Sequence, residues 1–169
     1  MKVFFVDAYN VINTWPNLKE RKDYSYEAAR QKLIEVLQNY ATYKGYKIFI
    51  VFDAHKVNGN IGKRENVGNI VIIYTKEGET ADSFIEKYID NIGKKVDVCV
   101  VTSDSLEQQL AFQRGATRMS SIEFYFEVEE VHGRIMKKTE KNFSEQRNLL
   151  EDRIDKNVLE KLEKIRRSH

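Results

Sequence analysis

Apolar runs alternate with helix-period segments along the first two thirds of the chain. Runs rich in β-branched and aromatic residues predict buried strands at residues 3–6, 46–52, 69–75 and 96–102, and a short edge strand at 117–119. Apolar residues at helical spacing predict helices over residues 26–43, 80–92 and 106–113. Strands that alternate with helices indicate an α/β fold with a mostly parallel central sheet, because parallel neighbours need a crossover.

The pattern becomes entirely helical after residue 120. Ser120 and Glu123 predict a capping box that opens a helix extending to about Met136, and Ser144 is a candidate N-cap for a last helix. No proline- or glycine-rich linker precedes these helices. We therefore predict a body over residues 1–132 and a helical extension over 133–169, packed on the same domain or projecting from it.

Residues 55–68 of the body show neither a strand-like apolar run nor apolar residues at helical spacing. It contains three glycines and three asparagines, which predicts a long mobile loop. A single cysteine, Cys99, lies within an apolar strand and is expected to be a buried thiol. Because the sequence shows no signal peptide and no long apolar stretch, we expect a cytoplasmic protein that does not contact a membrane.

Charge becomes informative only when the chain is divided. The 169 residues carry 28 basic and 26 acidic side chains, a formal net charge of +2, which excludes a strongly basic coat protein. Residues 133–169 hold 11 basic and 7 acidic side chains, which leaves 17 basic and 19 acidic side chains for residues 1–132. The extension is therefore basic and the body slightly acidic.

Acidic residues fall where the predicted strands end. Asp7, Asp53 and Asp104 follow strands, and Asp82 lies in the first turn of a helix. Each alone is equally well explained as a cap of the following turn. In a parallel sheet these ends share one edge, and clustered carboxylates need a cation such as Mg²⁺ or Mn²⁺. This pattern predicts hydrolysis of a phosphate ester.

Other common sites lack their motifs in this sequence. No glycine-rich dinucleotide fingerprint, P-loop, zinc-protease or serine-hydrolase motif is present, so no nucleotide cofactor is expected. A phosphohydrolase of the haloacid-dehalogenase type needs a second aspartate two residues after the first. Here Asp7 is followed by Ala8 and Tyr9.

Four motifs in order resemble one family. Residues 6–12 (VDAYNVI), 51–55 (VFDAH), 74–82 (YTKEGETAD) and 101–104 (VTSD) are similar to the NYN-domain nucleases, in particular the YacP-like, ribosome-associated endoribonucleases. The resemblance covers most of residues 1 to about 130. It implies a PIN-like three-layer sandwich.

The resemblance also implies roles for individual residues. Asp7, Asp82 and Asp104 match the acids that bind Mg²⁺ or Mn²⁺, and Asn10 matches an amide that orients water or phosphate. Asp53 matches a position at the edge of the site, where a structural role is equally open. Glu79 and Ser103 lie beside matched positions. Ala8 departs from the family, where glycine is frequent.

RNA contacts are expected around these acids. Candidate substrate-binding residues are Tyr9, Ser103, His55, Lys56, Lys63 and Arg64. Trp15 also lies near the site in sequence, but a lone tryptophan is more often part of the core. The basic extension is a candidate for docking on the ribosome, as the family's ribosome association implies, although a solvated helix face explains it too.

The leading hypothesis is a metal-dependent endoribonuclease that acts as a monomer on mRNA at the ribosome. An alternative is a non-catalytic RNA- or ribosome-binding module on the same PIN-like fold. The two differ in whether RNA is cut and in whether chelation of metal abolishes the effect.

Overall fold

The computed structural model describes residues 1–54, 61–92 and 96–167, without the side chains of residues 107, 154–156 and 159. Strands in these ranges are β1 (Lys2–Asp7), β2 (Lys47–Phe52), β3 (Arg64–Val67), β4 (Ile70–Tyr74), β5 (Asp97–Val101) and β6 (Thr117–Met119). Helices are α1 (Ala8–Thr14), α2 (Pro16–Tyr24), α3 (Tyr26–Lys44), α4 (Ala81–Ile92), α5 (Ser105–Gln113) and α6 (Ser121–Arg167).

The strands form one sheet in the order β3-β4-β2-β1-β5-β6. All described neighbours are parallel except β3 and β4, which are antiparallel. The predicted α/β fold with a mostly parallel sheet is therefore confirmed, as is the edge position of residues 117–119. Because the other five strands run the same way, they end at one edge of the sheet, which we call the carboxyl edge.

Helices cover both faces of the sheet, which gives three layers. On one face, Phe5 and Phe49 belong to a buried cluster with Ile85 and Ile89 of α4 and Ala111 of α5. On the other face, the Phe4 ring stacks on Phe124 of α6 at 5.6 Å between centroids, and Tyr40 of α3 meets Phe124 at 5.5 Å. Apolar strand residues thus face helices on both sides, which is why their sequence runs are continuous.

The predicted ends of α3 and the predicted N-cap of α4 are present in the structure. The Ser25 hydroxyl accepts a hydrogen bond from the Ala28 amide at 3.3 Å, and Gly45 ends α3 with a φ of 69°. Thr80 Oγ1 accepts from the Ser83 amide at 3.1 Å before α4. Side-chain oxygens at these N-termini satisfy amides that have no partner within the helix.

The region predicted as a mobile loop contains a strand. Residues 64–67 pair with β4, so the prediction of a loop is wrong for them, and residues 55–60 lie outside the described part of the chain. Their polar sequence gave no strand signal, because an edge strand is held by main-chain bonds and needs no apolar side chains. Helices α1 and α2, over residues 8–24, were not predicted either.

The C-terminal residues form one helix rather than two. Helix α6 runs without interruption through Ser144, so the predicted cap there is wrong. Residues 137–143 contain neither proline nor glycine, and serine is tolerated inside a helix. The capping box at its start is confirmed: the Ser120 amide donates to Glu123 Oε2 at 3.1 Å, and the Glu123 amide donates to Ser120 Oγ at 3.2 Å.

The chain divides into two compact units, Met1–Val131 and His132–His169. In the first unit Cys99 is buried, which raises the pKa of its thiol. In the second, every described side chain except the half-buried Ile135 is exposed. None of the described helices combines the length and the apolar character needed to cross a membrane.

Candidate active site

Asp7 is both the last residue of β1 and the N-cap of α1. Its carboxylate accepts a hydrogen bond from the Asn10 amide at 3.4 Å, and its side chain is half-buried. The three-residue spacing between Asp7 and Asn10 is therefore the spacing of a helix N-cap. The capping role places the carboxylate at the carboxyl edge.

Asn10 connects three segments at this edge. Its Oδ1 accepts hydrogen bonds from the Ser103 amide at 3.1 Å and from Ser121 Oγ at 2.7 Å. The Ser121 carbonyl in turn accepts from Trp15 Nε1 at 2.8 Å. The amide predicted to orient water or phosphate thus has its oxygen engaged in holding the loop after β5 and the start of α6.

Ser121 is a site residue that sequence reasoning missed. It is fully buried, and its hydroxyl reaches Asn10 across 111 positions of sequence. Only its place beside a capping box distinguished it, and that motif predicts a helix start rather than a contact with another segment.

Asp104 stands at the N-terminus of α5. Its Oδ1 accepts from the Leu106 amide at 2.9 Å, and its own amide donates to Thr102 Oγ1 at 3.1 Å. Ser103 and Asp104 are both exposed. The loop after β5 is therefore fixed by short local bonds and by Asn10, with the Asp104 side chain open to solvent.

Asp82 lies half-buried in the first turn of α4. The nearby Glu79 carboxylate accepts from the Lys76 amide at 3.4 Å and forms an ion pair with Lys87 at 3.5 Å. These contacts stabilise the turn that precedes α4 and support the interpretation of Glu79 as a structural acid before the helix.

Asp53 follows β2 and is half-buried. The backbone beside it is held by Thr75, whose buried hydroxyl accepts from the Ala54 amide at 2.8 Å and whose amide donates to the Phe52 carbonyl at 3.0 Å. Thr75 had no signal in the sequence beyond ending a strand. It couples the ends of β2 and β4 at the carboxyl edge.

The predicted metal group is not assembled in this structure. Within residues 1–54, 61–92 and 96–167, no three His, Cys, Asp or Glu side chains lie close enough together to hold a metal ion. Asp7 and Asp104 instead accept hydrogen bonds from helix amides. The donor chemistry still suits Mg²⁺, which takes one or two carboxylates and completes its shell with water and substrate phosphate.

The aromatic residues beside the site are buried. Tyr9 is 4% exposed and packs against Tyr26 and Phe52, and burial raises the pKa of its hydroxyl to about 12. The prediction that Tyr9 binds substrate through an accessible ring is therefore wrong for this conformation. Trp15 is 1% exposed and packs on Phe124, which confirms its place in the core.

Of the predicted basic contacts, Lys63 and Arg64 are described and both are exposed. The Lys63 carbonyl accepts from the Tyr74 amide at 2.9 Å, so this segment lies at the end of β4 and hence at the carboxyl edge. Arg30 is a basic residue that the sequence analysis did not propose, and its Cζ atom lies 5.6 Å from the centroid of the Tyr74 ring. His55 and Lys56 lie outside the described residues.

Comparison with known proteins identifies the family. A sequence model of the YacP-like NYN domain matches residues 4–167. The chain is 41% identical over 148 residues to "Uncharacterized protein YacP" of Bacillus subtilis (strain 168), which covers 86% of this chain and 85% of the relative.

Two crystal structures of Rae1 (YacP) from Bacillus subtilis agree with this match. One is 39% identical with a TM-score of 0.77 and covers 99% of this chain and 95% of that chain. The other, a tryptophan-to-leucine variant, is 38% identical with a TM-score of 0.73 and covers 85% of each chain. The chain belongs to the YacP-like NYN domain family.

Proposed function

We propose that this protein is a metal-dependent endoribonuclease that hydrolyses RNA phosphodiester bonds. The observation that carries the proposal is the arrangement of acids at the carboxyl edge, with Asp7 and the loop that bears Asp104 joined through Asn10. Asp82 and Leu106 line the same cavity, so the first turns of α4 and α5 lie beside each other. Membership of the YacP-like NYN domain family supports the proposal of a nuclease.

In the proposed reaction each residue has a separate task. Asp7, Asp82 and Asp104 supply carboxylate oxygens at the edge, and Asn10 keeps the Asp104 loop next to Asp7. A divalent cation bound by these carboxylates together with an RNA phosphate would neutralise charge and lower the pKa of a bound water. Without a cation, the carboxylates would repel the polyanionic substrate. Lys63 and Arg64 would bind phosphates away from the cut.

The decisive test is the substitution Asp82→Asn. We expect it to lower the rate of RNA cleavage by about a thousandfold, the typical loss when an essential catalytic group is removed. Unfolding by urea should stay close to that of the wild type, since Asp82 is only half-buried. Asp23→Asn, an exposed aspartate on α2, is the matched control and should cleave normally. Full activity of Asp82→Asn contradicts the assignment.

Metal dependence has its own measurement. Cleavage should stop in EDTA and return when Mg²⁺ or Mn²⁺ is added in excess. Cleavage that continues in EDTA would contradict the proposed metal dependence, and the proposal of a nuclease would then stand without it.

A non-catalytic RNA- or ribosome-binding module is the second candidate. The lack of a three-ligand group among the described residues favours it. It predicts RNA binding that EDTA leaves unchanged and no cut product at any metal concentration, which is the opposite result in both assays.

We also propose that the substrate is mRNA on the ribosome. The support is the basic balance of residues 133–169, because basic side chains gain affinity for RNA by releasing its counterions. Mapping new 5′ ends in translating extracts and on free mRNA tests this point. Cleavage that is equally efficient on free mRNA contradicts it.

A further inference from the structure

A surface groove runs along α3, beside the edge strand β3. Its two parts have volumes of about 620 and 450 Å³, and Gln31, Ile34 and Val67 line both of them. Because the two parts share these three residues, they form one continuous groove.

The larger part, which we call the near part, reaches the carboxyl edge of the sheet. Tyr74, the last residue of β4, lines it, and the Tyr74 ring stacks on that of Phe52, the last residue of β2, at 5.3 Å between centroids. Asp53 follows Phe52 directly, and the Tyr9 ring of α1 meets the Phe52 ring at 6.0 Å. The near part therefore opens beside the candidate active site.

The smaller part, which we call the far part, extends away from that edge. Val67 lines it and pairs with Ile70, the first residue of β4. Gln38 also lines it, and this residue lies about 12 Å farther along α3 than Arg30, at a rise of about 1.5 Å per residue. The groove thus leads from the carboxyl edge towards the opposite end of the sheet.

Basic side chains outnumber acidic ones along the groove. The charged residues that line it are Arg21, Arg30, Lys32 and Lys63 against Glu35 and Glu65. Arg64 borders the groove too, but its Cζ atom lies 5.9 Å from the centroid of the Phe49 ring, on the other face of the sheet. Residues 1–132 carry 17 basic and 19 acidic side chains, so the excess of positive charge is local to the groove.

Arg30 is fixed in the near part by two aromatic rings. Its Cζ atom lies 5.6 Å from the centroid of the Tyr74 ring and 6.0 Å from that of Phe52. Its Nη2 pairs with the carboxylate of Glu27, which is 55% exposed, whereas a guanidinium carries five N–H donors. An exposed ion pair contributes little free energy, so the same guanidinium can also bind a phosphate.

These features suit the backbone of single-stranded RNA. Basic side chains along an open groove neutralise successive phosphates and release their counterions. The aliphatic residues among them, Ile34, Val67 and Ile72, can contact ribose and base without selecting a particular base. An acidic peptide would match the charge equally well, but the continuity of the groove with the candidate active site favours RNA.

We propose that the groove between α3 and β3 binds the phosphate backbone of single-stranded RNA on one side of the bond that is cut. The inference rests on the proposed function, because RNA is the substrate assigned there. It adds Arg30, Lys32 and Arg21 to the residues that contact the substrate. It also gives the bound strand a direction, from the carboxyl edge through the near part into the far part.

The test measures how the full chain binds labelled oligouridylates of about 4 to about 16 nucleotides, the range of site sizes among single-strand-binding folds. Fluorescence anisotropy is recorded in EDTA at several salt concentrations. Arg30→Gln should weaken binding of every length about tenfold, as expected for the loss of a hydrogen bond to a charged group. It should also lower the salt slope by about 0.7, the value for one phosphate of a single strand. Arg21→Gln should weaken binding of the longer oligouridylates alone.

Arg118→Gln is the matched control. Arg118 is exposed on β6 at the opposite edge of the sheet, and its Cζ atom also lies over an aromatic ring, 5.6 Å from the centroid of Phe112. This variant should bind every length as the wild type does. Arg30→Lys retains the charge and should restore the salt slope, which a merely structural role of Arg30 would not predict. If Arg30→Gln does not fold, Lys63→Gln, an exposed side chain of the near part, takes its place with the same expected loss.

Two results overturn the proposal. One is equal affinity of Arg30→Gln and Arg118→Gln for the long oligouridylates, which would leave the groove to an acidic protein. The other is a loss in Arg21→Gln that is the same at every length, since the far part lies beyond the reach of the shortest strands.

Cleavage assays separate this inference from the proposed function. If the wild type cuts RNA while the groove variants bind as the control does, the groove assignment alone fails. If the wild type shows the expected dependence on length but cuts no RNA, the nuclease proposal alone fails and the groove stands as an RNA-binding surface.

Discussion

Phe124 and Phe143 belong to the same helix, yet the first is fully buried and the second is 71% exposed. Phe124 lies in the unit of residues 1–131, where a sheet provides an apolar surface for the helix face. Phe143 lies in the unit of residues 132–169. The contrast shows that burial depends on what a helix packs against, since both side chains are equally apolar.

The second unit illustrates a helix without a described apolar partner. Met136, Phe143 and Leu150 are spaced by seven residues, the spacing of one helix face, and are 48%, 71% and 57% exposed. Lys164, Arg166 and Arg167 in the last turn oppose the negative end of the helix dipole. Local interactions therefore stabilise this part of α6, whereas long-range packing stabilises the elements of the first unit.

The largest expected difference is between Phe124→Ala and Phe143→Ala. Phe124→Ala removes a ring packed between Phe4, Tyr40 and Trp15 and should lower the free energy of unfolding by about 3–5 kcal/mol. Phe143→Ala should change it by less than about 0.5 kcal/mol. Urea unfolding followed by the fluorescence of Trp15, the single tryptophan, measures the first loss, and amide hydrogen exchange along α6 measures the second. Similar losses for the two variants would remove the contrast.

A smaller difference is expected between long-range and local hydrogen bonds. Asn10→Ala leaves the Ser103 amide and the Ser121 hydroxyl without their acceptor and should cost about 1–3 kcal/mol. Thr139→Ala removes only a bond to the Ile135 carbonyl one turn earlier in α6 and should cost less than about 0.5 kcal/mol. Urea unfolding followed by Trp15 fluorescence reports the first value, and amide hydrogen exchange along α6 reports the second. An Asn10→Ala variant as stable as the wild type would show that the hydrogen bonds from Ser103 and Ser121 to Asn10 do not stabilise the body.

The smallest expected effects have opposite signs. Gly45→Ala places a side chain at a φ of 69° and should destabilise the first unit by about 1 kcal/mol. Gly133→Ala, in a helix with open space around it, should stabilise α6 by about 0.5–1 kcal/mol. Trp15 fluorescence reports the first change, and amide hydrogen exchange along α6 reports the second. Destabilisation by Gly133→Ala would indicate that this position contacts another part of the molecule.

Prediction from sequence worked where the local residue pattern records how a segment is buried or capped. The four buried strands are continuous apolar runs because helices cover both faces of the sheet, and the cap at Ser25 is a local hydrogen bond. Prediction failed for β3, whose pairing uses the main chain, and for the helix boundary predicted at Ser144, where nothing in the local sequence requires a break. The burial of Tyr9 was missed because it depends on Tyr26 and Phe52, which are distant in sequence.

The acids at the carboxyl edge follow from the sequence alone, since a parallel sheet gathers strand ends on one side. Their detailed arrangement follows from tertiary contacts. The Asn10 oxygen is shared by segments 93 and 111 positions away, and the cavity beside Asp82 exists only because α4 and α5 pack side by side. Residue pattern encodes periodicity along the chain, whereas distances between side chains far apart in sequence arise only when the elements pack.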